Sequence, residues 1–128
     1  MPGYVDTNLL VRLLVRDSPA LGHRAAEVIR ANAPVQVTSA VLLEVAHVLH
    51  RPYRRPRPTV AQALTGVLNS SRLVVEEPDV WRRTLNLYTS TSLHMTDCYL
   101  ASRALRDDVD LHTFDQDLGV AMQRLRAP

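Results

Sequence analysis

Residues 35–49 read VQVTSAVLLEVAHVL, and this stretch combines the two kinds of element that decide the fold. The opening VQVT alternates apolar and polar side chains, which is typical of a short strand. Thr38 or Ser39 is placed to cap a helix that runs from Ala40 to about Leu49, because a hydroxyl oxygen accepts a hydrogen bond from the first helical turn. A strand that leads directly into a helix is the repeating unit of α/β folds.

The same succession of strand and helix patterns recurs along the chain. Strands are predicted over residues 3–6, 35–38, 72–75 and 110–114. Helices are predicted with their caps or first residues at Thr7, Ser18, Thr38 or Ser39, Thr59, Pro78, Thr96 and Asp117. This alternation predicts an α/β fold, with a parallel sheet and helices on both of its faces.

The length and composition predict one globular domain over residues 1–128. The chain is 46% hydrophobic and 22% charged, which excludes a disordered tail protein. Its one cysteine, Cys98, excludes a disulfide framework and a cysteine-based zinc site. No apolar run suits a membrane span or a signal sequence, so we expect a cytoplasmic protein with no membrane partner.

The basic residues are unusual in kind rather than in number. The formal net charge is only +2, but all 15 basic residues are arginine. The absence of lysine excludes a phosphate-binding loop that ends in Gly-Lys-Ser/Thr, a Schiff-base enzyme and a phosphate-transfer receiver domain. Guanidinium groups bind phosphate through paired hydrogen bonds, so the arginines suit a nucleic-acid partner. A GC-rich genome is the alternative explanation and accounts for most of the bias.

Four carboxylates lie in surroundings that are unusual for a solvated acid. Asp6 and Asp115 each end a predicted strand, and the ligand sites of parallel sheets lie at the carboxyl ends of strands. Glu44 and Asp97 have apolar residues three and four positions away, where a carboxylate is costly unless it is paired or binds a metal. Asp97 has a second explanation, because a negative charge near a helix start interacts favourably with the helix dipole.

A metal ion is the remaining way to neutralise these acids. No arginine shares the predicted face of Glu44 or lies at the predicted strand ends. Oxygen ligands favour Mg²⁺ or Mn²⁺ over zinc. A carboxylate-bound Mg²⁺ keeps several waters, one of which can become a nucleophile towards a phosphate ester. The acids therefore predict metal-dependent chemistry on a phosphate substrate.

Four motifs around these acids resemble those of a known family. They are VDTNLLVR at residues 5–12, SAVLLEV at 39–45, TDCYLA at 96–101 and TFDQDL at 113–118. Each is weak alone, but their order and spacing resemble PIN-domain ribonucleases, and in particular the VapC-type toxins of VapBC type II toxin–antitoxin systems. The resemblance covers nearly the whole chain. Two positions depart from it: Thr96 replaces a small apolar residue, and little chain remains for a last edge strand.

The resemblance implies a three-layer α/β domain, with a central parallel sheet of four or five strands flanked by helices. It also implies Mg²⁺- or Mn²⁺-dependent cleavage of RNA, a cognate antitoxin and a homodimer. The residues that it assigns to the acidic pocket, as catalytic groups and metal ligands, are Asp6, Glu44, Asp97 and Asp115, with Asp117 as a further candidate ligand. By the same resemblance, Asn8 orients Asp6 or a bound water, and Thr113 supports the pocket by hydrogen bonding.

Residues 51–58 are predicted to form an irregular loop, because three prolines interrupt this stretch. The loop carries four arginines, and Arg54, Arg55 and Arg57 are candidates for contacts with RNA phosphates. Two alternatives remain open: the loop is a solvated segment, or it binds an acidic partner.

Other catalytic classes find less support. The histidines at positions 47, 50, 94 and 112 are interpreted as surface or lining residues, because no ligand pair at zinc spacing follows them. Cys98 is interpreted as core filler, since no base is placed to activate it. The alternatives to a toxin are a PIN-domain nuclease without a cognate antitoxin and a non-catalytic PIN-like interaction module.

Overall fold

The computed structural model describes residues 3–128, which divide into two compact units. The first unit ends at Glu77, and the second is Pro78–Pro128. The elements of the first unit are α1 (Thr7–Val15), α2 (Pro19–Asn32), β1 (Val35–Val37), α3 (Ser39–His50), α4 (Arg57–Asn69) and β2 (Leu73–Val75). The elements of the second unit are α5 (Pro78–Ser90), α6 (Met95–Asp107) and α7 (Gln116–Arg126).

The sheet of the first unit is parallel, as predicted. β1 and β2 pair in register from Val35 with Leu73 to Val37 with Val75. The predicted first strand contributes one parallel bridge, from Tyr4 to Gln36. Because Gln36 bonds to this segment while its two neighbours bond to β2, β1 lies between them.

The prediction of four or five strands is wrong for residues 3–128, where the structure has a two-stranded sheet. Residues 110–114 form no strand. Strand formation requires a paired ladder and usually one buried face. The apolar residues Val109 and Phe114 are exposed, and only Leu111 in this segment is partly covered. No strand follows α7 either.

Helix capping explains where the helices of the first unit begin. Ser18 and Thr38 cap α2 and α3 as predicted, with Pro19 at the first position of α2. The predicted Thr7 cap is wrong, because the carboxylate of Asp6 caps α1. α4 begins at Arg57 rather than Thr59, so the predicted loop is shorter by two residues. Proline is tolerated in a first turn, since the N–H it lacks would have no helical partner there.

The core of the first unit is formed by regularly spaced apolar residues. α1 packs on α2 and α3, α3 packs on α4, and α4 packs on β2. The largest fully buried side chains of these elements are Leu10, Val37, Leu42, Val45, Val60, Leu64 and Val67.

The second unit packs α6 against both α5 and α7. The prediction of α5 is confirmed over its whole length, and the side chains expected to point inward are buried: Val80, Trp81, Thr84, Leu85 and Tyr88. Trp81 stacks on Tyr99 of α6, with 5.3 Å between the ring centroids. Cys98 is fully buried, which supports its interpretation as core filler.

Two helix starts in the second unit differ from prediction. α6 begins after His94 with no side-chain cap, so the predicted Thr96 cap is wrong. α7 begins at Gln116 with Asp115 as its cap, one residue before the predicted start. Over residues 3–128, no helix is both long and apolar enough to cross a membrane.

Candidate functional site

Asp6 and Asp115 have the same local construction in two different units. The Oδ1 atom of Asp6 accepts a hydrogen bond from the Leu9 N–H at 2.9 Å and caps α1. The Oδ1 atom of Asp115 accepts from the Leu118 N–H at 3.0 Å and caps α7. Both residues are exposed. In each case the capping bond fixes the carboxylate through one oxygen and leaves Oδ2 for a cation.

The residues next to Asp115 belong to the same helix start. The N–H of Asp115 donates to the Oγ1 atom of Thr113 at 2.9 Å. Asp117 lies exposed in the first turn of α7. Thr113 thus holds the backbone of Asp115, which is one way to support an acidic pocket, and the role predicted for it stays a prediction.

Glu44 lies on the exposed face of α3 together with Ala40 and His47. The expectation that it shares the apolar face of the helix is wrong. The buried face passes through Leu42 and Ala46, and Glu44 is two residues from each, about 200° around the helix axis. Its carboxylate is therefore hydrated, so it does not need a partner to compensate for burial.

Asp97 is half-buried in the first turn of α6. Leu93 and Ala101, two of its predicted neighbours, are buried, whereas Leu100 is exposed. Asp97 therefore lies at the boundary between the covered and open faces of its helix. Asn8, the predicted partner of Asp6, is exposed at the second position of α1.

The predicted acids are divided between the units. Asp6 and Glu44 belong to the first, and Asp97, Asp115 and Asp117 belong to the second. Within either unit, taken over residues 3–128, no group of three or more His, Cys, Asp or Glu side chains could hold a metal ion. Each unit by itself contains part of the predicted donor set, and the donors are carboxylate oxygens, which suit a hard cation.

Arginine does not neutralise the four motif acids. Asp6, Glu44, Asp97 and Asp115 form no ion pair within their own units, over the part of the chain that the structure describes. Other carboxylates do pair. A hydrogen bond from Arg30 lowers the pKa of Glu27, and a hydrogen bond from Arg106 lowers the pKa of Asp107. Within their units, the four motif acids therefore lack the arginine partner that Glu27 and Asp107 have, as do Asp79 and Asp110 outside the motifs.

The histidine site is not supported. All four histidines that the sequence singles out are exposed, which agrees with their interpretation as surface residues: His47, His50, His94 and His112.

The arginines after α3 form a second feature. Arg54 and Arg55 line a cavity of about 630 Å³. Two further lining residues, His50 and Arg51, were not among the predicted RNA contacts, although Arg51 belongs to the same arginine-rich run. Arg57 lies apart from this lining, half-buried at the first position of α4.

Comparison with known families identifies the domain. The model of the PIN domain matches residues 3–121. The search of curated proteins found no match to the chain. PIN domains are generally metal-dependent nucleases, so the match indicates a nuclease-type function. Helices combined with parallel strands fit the α/β fold of this family.

Proposed function

The chain belongs to the PIN domain family, and on this premise we propose that it is a metal-dependent endoribonuclease that acts as the toxin of a toxin–antitoxin pair. The proposal treats residues 1–128 as a single domain that acts on cytoplasmic RNA. Its support is the combination of the family match with the four acidic motifs, whose order and spacing resemble those of VapC-type toxins.

The proposed metal is Mg²⁺ or Mn²⁺, held by Asp6, Glu44, Asp97 and Asp115, with Asp117 as a candidate fifth ligand. These side chains offer only oxygen donors, which both ions prefer. When bound, the cation supplies an activated water and stabilises the negative charge that develops on phosphorus. The product should then carry a 5′-phosphate and a 3′-hydroxyl.

Local contacts orient two of the proposed ligands, each within its own unit. The caps of α1 and α7 hold Asp6 and Asp115 in one orientation, which reduces the entropy lost when a ligand binds. Thr113 restrains the backbone of Asp115. Asn8 follows Asp6 by two residues and is proposed to orient it or a bound water.

One observation carries the proposal: the PIN domain match over residues 3–121 includes all four motif acids, and none of them has an arginine partner within its unit. Surface carboxylates without a counter-charge repel one another when they are brought together, and a divalent cation relieves this repulsion.

The test is cleavage of RNA by the purified protein, with and without a divalent ion. EDTA should abolish cleavage, and Mg²⁺ or Mn²⁺ should restore it. Products that end in a 2′,3′-cyclic phosphate would show that the 2′-hydroxyl attacks, and would contradict the mechanism. Sequencing of RNA 5′ ends after brief induction in cells, with Asp97→Asn as the control, identifies the target.

The partners are proposed from the same resemblance: a cognate antitoxin that blocks the acidic site, and a second copy of the chain. The antitoxin is expected to be encoded by a short neighbouring gene. Cleavage that continues undiminished with this partner bound would contradict inhibition. Light scattering that shows only monomer at micromolar concentration would contradict the homodimer.

A further inference from the structure

Residues 51–56, which we call the arginine loop, surround the cavity of about 630 Å³ at the end of α3. The cavity is lined by His50, Arg51, Pro52, Arg54, Arg55 and Pro56. We propose that it binds the phosphodiester backbone of single-stranded RNA, through a lining that contains none of the acids. The inference deepens the proposed function and rests on it for the choice of RNA as the polyanion.

The backbone of the arginine loop, rather than its side chains, holds it against α3. The N–H groups of Arg51, Tyr53 and Arg55 donate to the carbonyls of His47, Val48 and Leu49, at 2.7, 3.3 and 2.8 Å. These bonds satisfy carbonyls that the helix leaves without an internal partner at its end. The guanidinium groups take no part in this capping, so they are available to a ligand.

The loop also maintains a backbone conformation that arginine rarely adopts. Arg54 has φ of 54°, in the left-handed region that favours glycine. The residues on both sides, Tyr53 and Arg55, are bonded to the end of α3 and hold it there. Arg16 and Asp108 adopt the same conformation where α1 and α6 end, so it is a feature of the helix ends of this chain.

The charged groups of the cavity all have the same sign. Arg12 of the same unit pairs with Asp17 at 3.4 Å. By contrast, no carboxylate of residues 3–77 pairs with Arg51, Arg54 or Arg55, and no acid lines the cavity. Guanidinium groups that line one cavity without a counter-charge repel one another, so an anion stabilises them. They match phosphate oxygens through paired hydrogen bonds.

The position of the cavity, beside exposed residues of α3, favours a polymer over a single phosphate ion. Its volume falls within the roughly 300–1,000 Å³ of ordinary small-molecule sites. Glu44, His47 and His50 are exposed at every third position of α3, each turned about 60° around the helix axis from the one before, and His50 lines the cavity. Glu44 and His50 are about 9 Å apart along the helix axis, at 1.5 Å per residue. One strand of RNA can therefore contact both the cavity and Glu44.

The experiment measures binding of a fluorescent single-stranded RNA in EDTA, where no metal-dependent cleavage interferes. The variant R51Q/R54Q/R55Q removes the three charges, and R82Q/R83Q/R124Q is the control. The control arginines are exposed and form no ion pair within the second unit, where all three lie. Both triple variants change the net charge equally. Thermal melts check that both variants fold.

We expect the loop variant to flatten the salt dependence of binding by about two units, since each phosphate contact on a single strand contributes about 0.7. Affinity should fall ~100-fold near 0.1 M salt. The control should keep most of the slope. An equal loss in both variants would overturn the proposal, because net charge alone would then explain binding.

Two further measurements separate the remaining explanations. The variant R51K/R54K/R55K should keep most of the slope but bind RNA less tightly, because lysine lacks the paired donors of arginine. If poly-aspartate binds in an arginine-dependent way and RNA does not, the cavity serves an acidic protein and the proposal is wrong. If all variants bind RNA like the wild type but melt at lower temperature, the arginines only stabilise the end of α3.

Failure of this proposal is distinguishable from failure of the proposed function. Arginine-dependent binding without cleavage in Mn²⁺ would refute the nuclease and retain the RNA site. Cleavage in Mn²⁺ by a protein whose RNA binding does not depend on the arginine loop would refute the RNA site and retain the nuclease.

Discussion

The segments that precede α1 and α7 begin from the same pattern and end differently. In both, a stretch predicted as a strand leads into an aspartate with an extended backbone that caps the next helix. The first stretch bonds to the sheet, where the Val5 N–H donates to the Gln36 carbonyl at 3.1 Å. The second, residues 109–114, pairs with no strand of its unit, and the Thr113 side chain holds its end instead.

The comparison separates local from non-local causes of structure. An N-cap is a contact between residues three positions apart, so the same sequence signal produces it twice. A strand requires a partner from elsewhere in the chain. Gln36 provides that partner for residues 3–5, and nothing in the second unit provides it for residues 109–114.

The largest expected effect separates the capping role of the two aspartates from their proposed catalytic role. Asparagine caps a helix about as well as aspartate, but it supplies no negative charge to a metal. Asp6→Asn and Asp115→Asn should each lower the Mn²⁺-dependent cleavage rate by at least ~100-fold, more than the loss of a group that only supports a ligand. Their melting temperatures should stay close to that of the wild type.

Asp79→Asn is the matched control for these variants. Asp79 is also an exposed acid in a first helical turn, but no motif includes it. It should retain full cleavage. If Asp6→Asn or Asp115→Asn cleaves as fast as this control, that residue is only a cap.

Asp97 extends the comparison to a helix start without a side-chain cap. If it shares a site with the other acids, Asp97→Asn relieves repulsion in EDTA and removes a ligand in Mn²⁺. We expect the variant to melt higher than the wild type in EDTA and lower in millimolar Mn²⁺, each by on the order of 1 kcal/mol of stability. Melts of both proteins in both buffers test this.

A structural role predicts a different result for Asp97. A carboxylate that only interacts with the dipole of α6 should lower the melting temperature in both buffers when it is replaced. Parallel destabilisation would therefore contradict the metal-ligand assignment of Asp97.

Thr113 offers a direct test of how residues 109–114 are held without a strand partner. Thr113→Val removes the acceptor for the Asp115 N–H and keeps the shape of the side chain. Because the N–H is exposed and can bond to water instead, the loss should be only about 0.5 kcal/mol. Hydrogen exchange should speed up at Asp115. Unchanged exchange would show that the hydroxyl does not hold this backbone.

The smallest expected effect concerns pH. The hydrogen bond from Arg106 lowers the pKa of Asp107 in the folded protein, so Asp107 contributes stability above its ordinary pKa. That contribution is lost as the pH falls through the lowered value. Asp107→Asn should therefore melt at a slightly lower temperature than the wild type at pH 7. Near pH 2 the two proteins should melt at the same temperature. Asp110→Asn, which breaks no ion pair, should show no such change; a similar change would contradict the assignment.

Features that depend on neighbouring residues could be predicted from the sequence. α5 was predicted over its full length, because Pro78 marks its first turn and its apolar residues follow helical spacing. The Ser18 cap, the β1 strand and the buried Cys98 were predicted for similar reasons. Thr7 and Thr96 were wrong as caps, because Asp6 reaches the same N–H groups and α6 starts after His94.

Features that depend on tertiary packing could not be predicted. The face of α3 that is buried is set by packing against α1 and α4, so Glu44 was assigned to the wrong face. Glu44 keeps its place in the motif at residues 39–45, whichever face of α3 it lies on. The lining of the cavity depends on how residues 51–56 fold back onto α3. The sequence therefore did not predict that His50 and Arg51 line it.

The stack of Trp81 on Tyr99 makes the second unit optically distinct. Trp81 is the one tryptophan in the sequence and is fully buried in α5, so tryptophan fluorescence reports on the packing of α5 with α6. Far-ultraviolet circular dichroism reports on the helices of both units. If emission and ellipticity change together on heating, the chain melts as one cooperative body. If they separate, the two units have melting temperatures of their own.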